Sequence, residues 1–277
     1  MRFDLRAMAM RANPGRRKRA VTIRDTPPPA ILATDLYQAG YKPVLSLIDR
    51  YATQAASEYE RTLSALITDS ADDLTSLFER MGQELSSLVL LLRPGLRDWS
   101  LRVESNGRRR WAAAVLAASN VQIDTMLGPQ DVAVPLETAL NWNVALVRDV
   151  GDQARQKISA AVFSGLTNRS PARDVAKQIR EATGFARDRS LRIASDQLTK
   201  LSSTLAEERQ RQAGIEIVEY RSSHKLNFRP QHAARDGKLY YLDTRVPVDG
   251  GEAVPADDWA SRPPFCGCRT LARISFE

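Results

Sequence analysis

The period of the apolar residues changes once along this chain, at Gly214, and that change constrains the fold more than any other feature. From Ile31 onward apolar side chains recur at helical spacing for most of 180 residues. Leu36, Val44, Leu47, Ile48, Tyr51, Ala55, Tyr59 and Leu63 fall near a 3.6-residue period, so they share one face of a helix. Asp72 and Asp73 after Ser70 open a second helix with Leu74, Leu77, Met81, Leu85 and Leu88 on one side, and Pro94-Gly95 predicts its end. A third helix is expected from Trp111 to Met126, stopped by Gly128-Pro129. A fourth starts near Pro135 with Leu136, Leu140, Val144 and Val147, breaks at Gly151 and resumes to Gly165. Ser170-Pro171 is a cap followed by proline at the first helical position, opening a helix that ends at Gly184. The last runs from about Arg187 to Gln212, closed by Gly214. Trp99, Trp111 and Trp142 lie on helical faces and are expected in the core.

Beyond Gly214 the pattern is that of strands. Residues 215–221 alternate as a half-buried strand does. Asp236-Gly237 is a tight-turn pair, Lys238 to Leu242 is rich in strand formers, and Arg269 to Phe276 reads as a closing strand. The fold class expected is α+β, a mostly helical N-terminal and middle region followed by a small β-rich, loop-rich C-terminal domain. The divisions are an arm at 1–30, a helical domain at 31–213 and the β-rich domain at 214–277. About 60 residues is a size that often needs a metal staple.

Charge is concentrated at the start. Residues 1–30 hold eight basic side chains and two acidic ones, against a net charge of +7 for all 277 residues. The basic pI therefore belongs to a tail. With Asn13-Pro14-Gly15 and Pro27-Pro28-Pro29 as breakers, a disordered or extended arm is expected, and Arg16, Arg17, Lys18 and Arg19 are its candidate contact with nucleic acid. No apolar run approaches the ~20 residues of a membrane span, and no secretory signal is read at the N-terminus. Two cysteines one residue apart do not build a disulfide framework, which fits a bacterial cytosol or a particle assembled there.

The chain has two histidines and two cysteines, and all four lie in the last 54 residues. His224, His232, Cys266 and Cys268 make a complete tetrahedral set for zinc. The Asp-Gly turn folds the chain back and could bring His232 to the Cys266-Gly267-Cys268 pair. Other chemistries use the same residues. A thiol could attack with His232 as base and Asp236 orienting it, or a zinc-bound water could act with Asp236 or Glu252 as base. Packed, reduced cysteines with a hydrogen-bonded histidine are the inert reading. Neither a phosphate-cradling glycine loop nor a His-Glu-x-x-His helix occurs.

The run Ala213-Gly214-Ile215, Tyr220 to His224, Arg229-Pro230-Gln231-His232 through Asp236-Gly237-Lys238, and the ending Pro263-Pro264-Phe265-Cys266-Gly267-Cys268-Arg269 resemble the phage head morphogenesis family, the Mu F-like minor capsid proteins of tailed phages. The resemblance covers about residues 140–277. The chain departs from the family pattern at Lys225, where many relatives carry an acid, and at Pro263-Pro264-Phe265, where many carry a histidine. The resemblance implies a structural virion protein rather than an enzyme. It would sit in the capsid interior or at the portal vertex, be made in the host cytoplasm, and assist genome packaging or delivery. The implied partners are the portal protein, the major capsid protein and genomic DNA, with no membrane. The alternative is a zinc-dependent hydrolase or nuclease acting on DNA or cell wall, and a third is a prophage-derived effector.

Overall fold

The computed structural model describes residues 3–15, 19–24, 26–65, 70–226 and 228–276. It is α+β, 69% helical with one small antiparallel sheet. The elements in order are α1 (Leu5–Ala12), β1 (Ala20–Thr22), α2 (Ile31–Leu36), a π-helical turn (Tyr37–Tyr41), α3 (Lys42–Ala65), α4 (Ser70–Ser119), two 3₁₀ turns (Asp124–Met126 and Pro129–Val132), α5 (Ala133–Asn168), α6 (Ala172–Gln212), β2 (Ile217–Arg221), α7 (Pro230–Ala233), β3 (Leu239–Tyr241), a 3₁₀ turn (Ala256–Asp258) and β4 (Arg269–Ser275). Among the described residues no helix is long and apolar enough to cross a membrane.

The helices are fewer and longer than the breakers predict. Pro94 lies inside α4, Gly151 inside α5 and Gly184 inside α6. An internal proline costs a helix about 3 kcal/mol. Here Leu85 and Val89 before it, and Leu96 and Trp99 after it, are all buried, and that burial exceeds the cost. At Gly151 a Cβ would meet Leu85 at 3.1 Å and Val44 at 3.3 Å, so this glycine marks close helix packing rather than a break. Arg108-Arg109-Arg110 lies inside α4, with the Arg108 guanidinium donating to Glu104 at 3.1 Å. Trp99 and Trp111 are core residues, but Trp142 is 56% exposed.

The chain forms two compact units, and their limits are not those expected at 30/31 and 213/214. One unit, the mixed unit, comprises residues 1–32, 100–139 and 195–277; the other, the helical unit, comprises 33–99 and 140–194. The helical unit buries Tyr41, Val44, Ile48, Tyr59, Leu74, Met81, Leu85, Leu96, Trp99, Val147, Ile158 and Val162.

In the mixed unit the sheet order is β1-β4-β2-β3, every pair antiparallel. β2 carries Val218 and Tyr220 into the core in strict alternation, as its period predicts. The described part of the N-terminal segment is not a free arm. Asp4 caps α1 by accepting from the Ala7 amide at 2.8 Å, and α1 buries Leu5 and Ala9 in the same core as Trp111, Val115, Ile123, Val218, Tyr220 and Trp259. The amides of Phe3 and Leu5 donate to the carbonyls of Gln212 and Ala213. β1 pairs its Val21 with Ile274 and so covers the edge of β4. Leu5, Met8, Ala9 and Ala12 lie at helical spacing, but a helix of eight residues is marginal alone, so docking on an existing core orders it. Gly214 takes φ +69°, which lets α6 end sharply and the chain turn into β2 beside Phe3.

Candidate metal centre

Three of the four soft side chains converge. His232, Cys266 and Cys268 are all buried, and their ligand atoms lie within 4.8 Å of one another. His232 is delivered by α7, a single helical turn started by Pro230 at its first position. The cysteines lie in the segment entering β4. Hydrogen bonds between backbone and side chains fix that segment. The Phe265 amide donates to Asp196 at 2.7 Å, the Ser261 hydroxyl donates to the Cys268 carbonyl at 2.5 Å, and Ser261 and Phe265 both adopt positive φ. Gly267 separates the thiols at a tight point of the packing. A Cβ there would meet Ser223 and Lys225 at 3.0 Å.

His232 is oriented from its far side. Its Nε2 lies 2.9 Å from an oxygen of Asp258, and Arg235 holds the other Asp258 oxygen at 2.6 Å and the Asp258 carbonyl at 2.9 Å. A carboxylate accepts only, so Nε2 carries the proton and Nδ1 presents its lone pair. That lone pair faces Cys266 Sγ at 3.4 Å and Cys268 Sγ at 3.5 Å. Burial opposes ionisation of Asp258, but the bonds from His232 and Arg235 win and hold its carboxyl below the ordinary range. The hydrogen bond between the two thiols and burial push Cys266 up, while for Cys268 the bond from Cys266 outweighs burial and pulls the thiol down.

An aromatic wall closes the site. Tyr220, Tyr240 and Trp259 pack with ring centroids 5.4–6.1 Å apart, and Tyr220 meets the His232 ring edge-on at 6.0 Å. The Tyr220 hydroxyl is buried without a partner at ordinary hydrogen-bonding distance, and it lies in the electrostatic reach of Cys268 and Arg235.

His224 does not join them. Its side chain is 66% exposed and its Nε2 sits 3.3 Å from Asp236. Asp236 is itself occupied locally, accepting from the Ser222 amide at 2.7 Å. Glu252 is exposed, and neither acid belongs to the cluster. Phe265, beside Cys266, is 53% exposed. Asp258, Arg235 and Tyr220 complete the site without having been singled out as ligand partners in the sequence. Asp258 is 26 residues from His232, and no motif spacing announces that pairing. Of the basic run, Arg16, Arg17 and Lys18 lie outside the described residues; Arg19 is exposed and its carbonyl accepts from the Phe276 amide at 2.7 Å.

Residues 156–271 match the family model described as Phage Mu protein F like protein, a stretch that contains all three clustered residues. The resemblance read from the C-terminal motifs is therefore shown. A curated relative from Haemophilus influenzae, named only as an uncharacterized protein, is 29% identical over 98 residues. Those residues are 35% of this chain and 22% of that protein, so the match spans about a fifth of the relative's length. No solved structure matches the chain.

Proposed function

We propose, from the Mu F-like character of residues 156–271, that this chain is a phage head morphogenesis protein, a minor structural component of the virion head. In this reading it associates with the portal protein at the portal vertex, contacts the major capsid protein, and assists packaging or delivery of genomic DNA after assembly in the host cytoplasm. The observation that carries the reading is that the family match encloses the His232, Cys266 and Cys268 cluster and that this cluster is buried. The three clustered side chains are 2–4% exposed, behind an aromatic wall. A sealed cluster favours a structural part over a hydrolase, whose metal needs an open position for substrate. DNA contact is assigned to Arg16, Arg17, Lys18 and Arg19.

The test is incorporation. Particles made with and without the gene are compared by mass spectrometry, and the full chain is tested for co-purification with the portal protein. A few copies per particle and a portal complex are expected; particles that lack the protein and assemble normally without it would refute the reading. DNA affinity should fall steeply with salt, and replacing Arg16, Arg17, Lys18 and Arg19 with serine should flatten that slope. An unchanged slope removes the arm as the DNA contact. Incubation with duplex DNA and with peptidoglycan is expected to give no cleavage. Metal-dependent cleavage lost in Cys268→Ser would replace this reading with the hydrolase.

A further inference from the structure

Two sulfurs lie almost equally far from one imidazole lone pair. A neutral imidazole protonated at Nε2 has a single in-plane lone pair at Nδ1, which serves one S–H donor well, not two. Equal separations of 3.4 and 3.5 Å instead describe three atoms arranged around a common point. Zinc–sulfur bonds of ~2.3 Å and zinc–nitrogen bonds of ~2.0 Å, meeting at the tetrahedral angle, set sulfur and nitrogen ~3.5 Å apart. The distances within the cluster are thus those of two edges of a zinc tetrahedron. The outer partners fit as well. Metal-bound histidines generally donate their other ring N–H to a carboxylate, and Asp258 stands there, itself anchored by Arg235. The buried, unpartnered Tyr220 hydroxyl beside Cys268 is a polar atom that the protein alone leaves unsatisfied.

We propose that His232 Nδ1, Cys266 Sγ and Cys268 Sγ hold one structural zinc ion, with Asp258 as the positioning residue for the imidazole. Among the described residues no fourth histidine, cysteine or acidic side chain joins this cluster, and the burial of all three shuts the remaining position off from substrate. Two thiolates and an imidazole are soft enough to select zinc over magnesium or calcium. The ion ties α7 to the segment entering β4. These are parts of the chain 34 and 36 residues apart, which Arg229 also joins by donating to the Pro264 carbonyl at 3.1 Å. This goes beyond the head-protein reading and stands or falls separately from it.

The experiment uses the full chain purified without chelator. Elemental analysis should find about one zinc per chain, and cobalt(II) exchanged into the site should give thiolate-to-cobalt charge-transfer absorption with tetrahedral visible bands. Cys266→Ser with Cys268→Ser should abolish both. Asp258→Asn should keep the site but weaken its zinc affinity by about 10–100-fold. His224→Ala should change neither stoichiometry nor spectrum, which also guards against misfolding as the cause of loss. Wild-type protein that holds no zinc and binds no cobalt would overturn the proposal. So would metal that persists in the double serine variant, or that is lost in His224→Ala.

Discussion

The helical unit and the mixed unit are stabilised by different kinds of interior. The helical unit is an apolar packing of helices, and its tightest points are glycines. A Cβ at Gly165 would lie 2.5 Å from Val175 and 2.9 Å from the Tyr59 hydroxyl, and one at Gly40 would lie 2.9 Å from Leu96. The mixed unit buries charge. Among the described residues, the buried Glu104, Asp196, Glu207 and Arg209 all belong to it. Arg209 reaches Glu104 at 2.5 Å, the Gly128 carbonyl at 2.9 Å and Gln212 at 3.2 Å, tying α4, α6 and the turn before α5 together. Gln210 and Gln212 continue the network to the Thr270 and Asp131 carbonyls. Apolar packing tolerates rearrangement, whereas a buried polar network accepts one arrangement or loses a full desolvation cost. A site that must hold three ligand atoms in place stands in the unit built the second way.

If that contrast is right, the largest effect comes from removing one partner of the buried pair. Arg209→Ala should destabilise the protein by about 3 kcal/mol, because Glu104 loses its buried partner and keeps only Arg108, and the Gly128 carbonyl loses its donor. Urea unfolding measures it, and a loss comparable to a surface ion pair would break the comparison. Next is the helical unit's glycine. Gly165→Ala should cost about 1–3 kcal/mol by overpacking against Val175 and Tyr59, which the same titration reads. A neutral result would mean that this interior is looser than its distances imply. Tyr59→Phe should cost about 1 kcal/mol, since its hydroxyl donates to the Ser170 carbonyl at 2.7 Å. A loss near that of Arg209→Ala would show that polar bonds matter as much in the helical unit.

The smallest effect sharpens the comparison through pH. Burial, opposed by Arg262 and Arg211, pushes the Glu207 carboxyl above its ordinary 4.5. The folded state therefore holds this proton more tightly than the unfolded one. That contribution is complete below pH 4.5 and is lost as pH rises through the folded value. Glu207→Gln should flatten the decline of stability with pH in that window. Thermal melts at a series of pH values check this, and an identical slope in both proteins would remove Glu207 as its source.

Much of this was legible from residue order, and the exceptions share a cause. The α+β class, the helical face of Val44, Ile48, Tyr51, Ala55 and Tyr59, the strand at 217–221 and the turn at Asp236-Gly237 follow from local period and local turn chemistry. The grouping of His232 with Cys266 and Cys268 followed from scarcity of those residue types and one fold-back turn. What local rules predicted wrongly, tertiary burial decided. Pro94, Gly151 and Gly184 are breakers by intrinsic preference, yet helices run through them because both flanks pack.

The sequence by itself determined the helical period of residues 31–212, the alternation of residues 217–221 and which side chains are available as ligands, since these depend on residues within a few positions of each other. The tertiary structure alone decided that residues 3–15 and 19–24 join the mixed unit through α1 and β1, that each unit is assembled from separated stretches of chain, and that Asp258 rather than His224 serves His232. Those outcomes rest on contacts across tens to hundreds of residues. Their energies come from desolvation and shape complementarity of surfaces that exist only once the chain has folded.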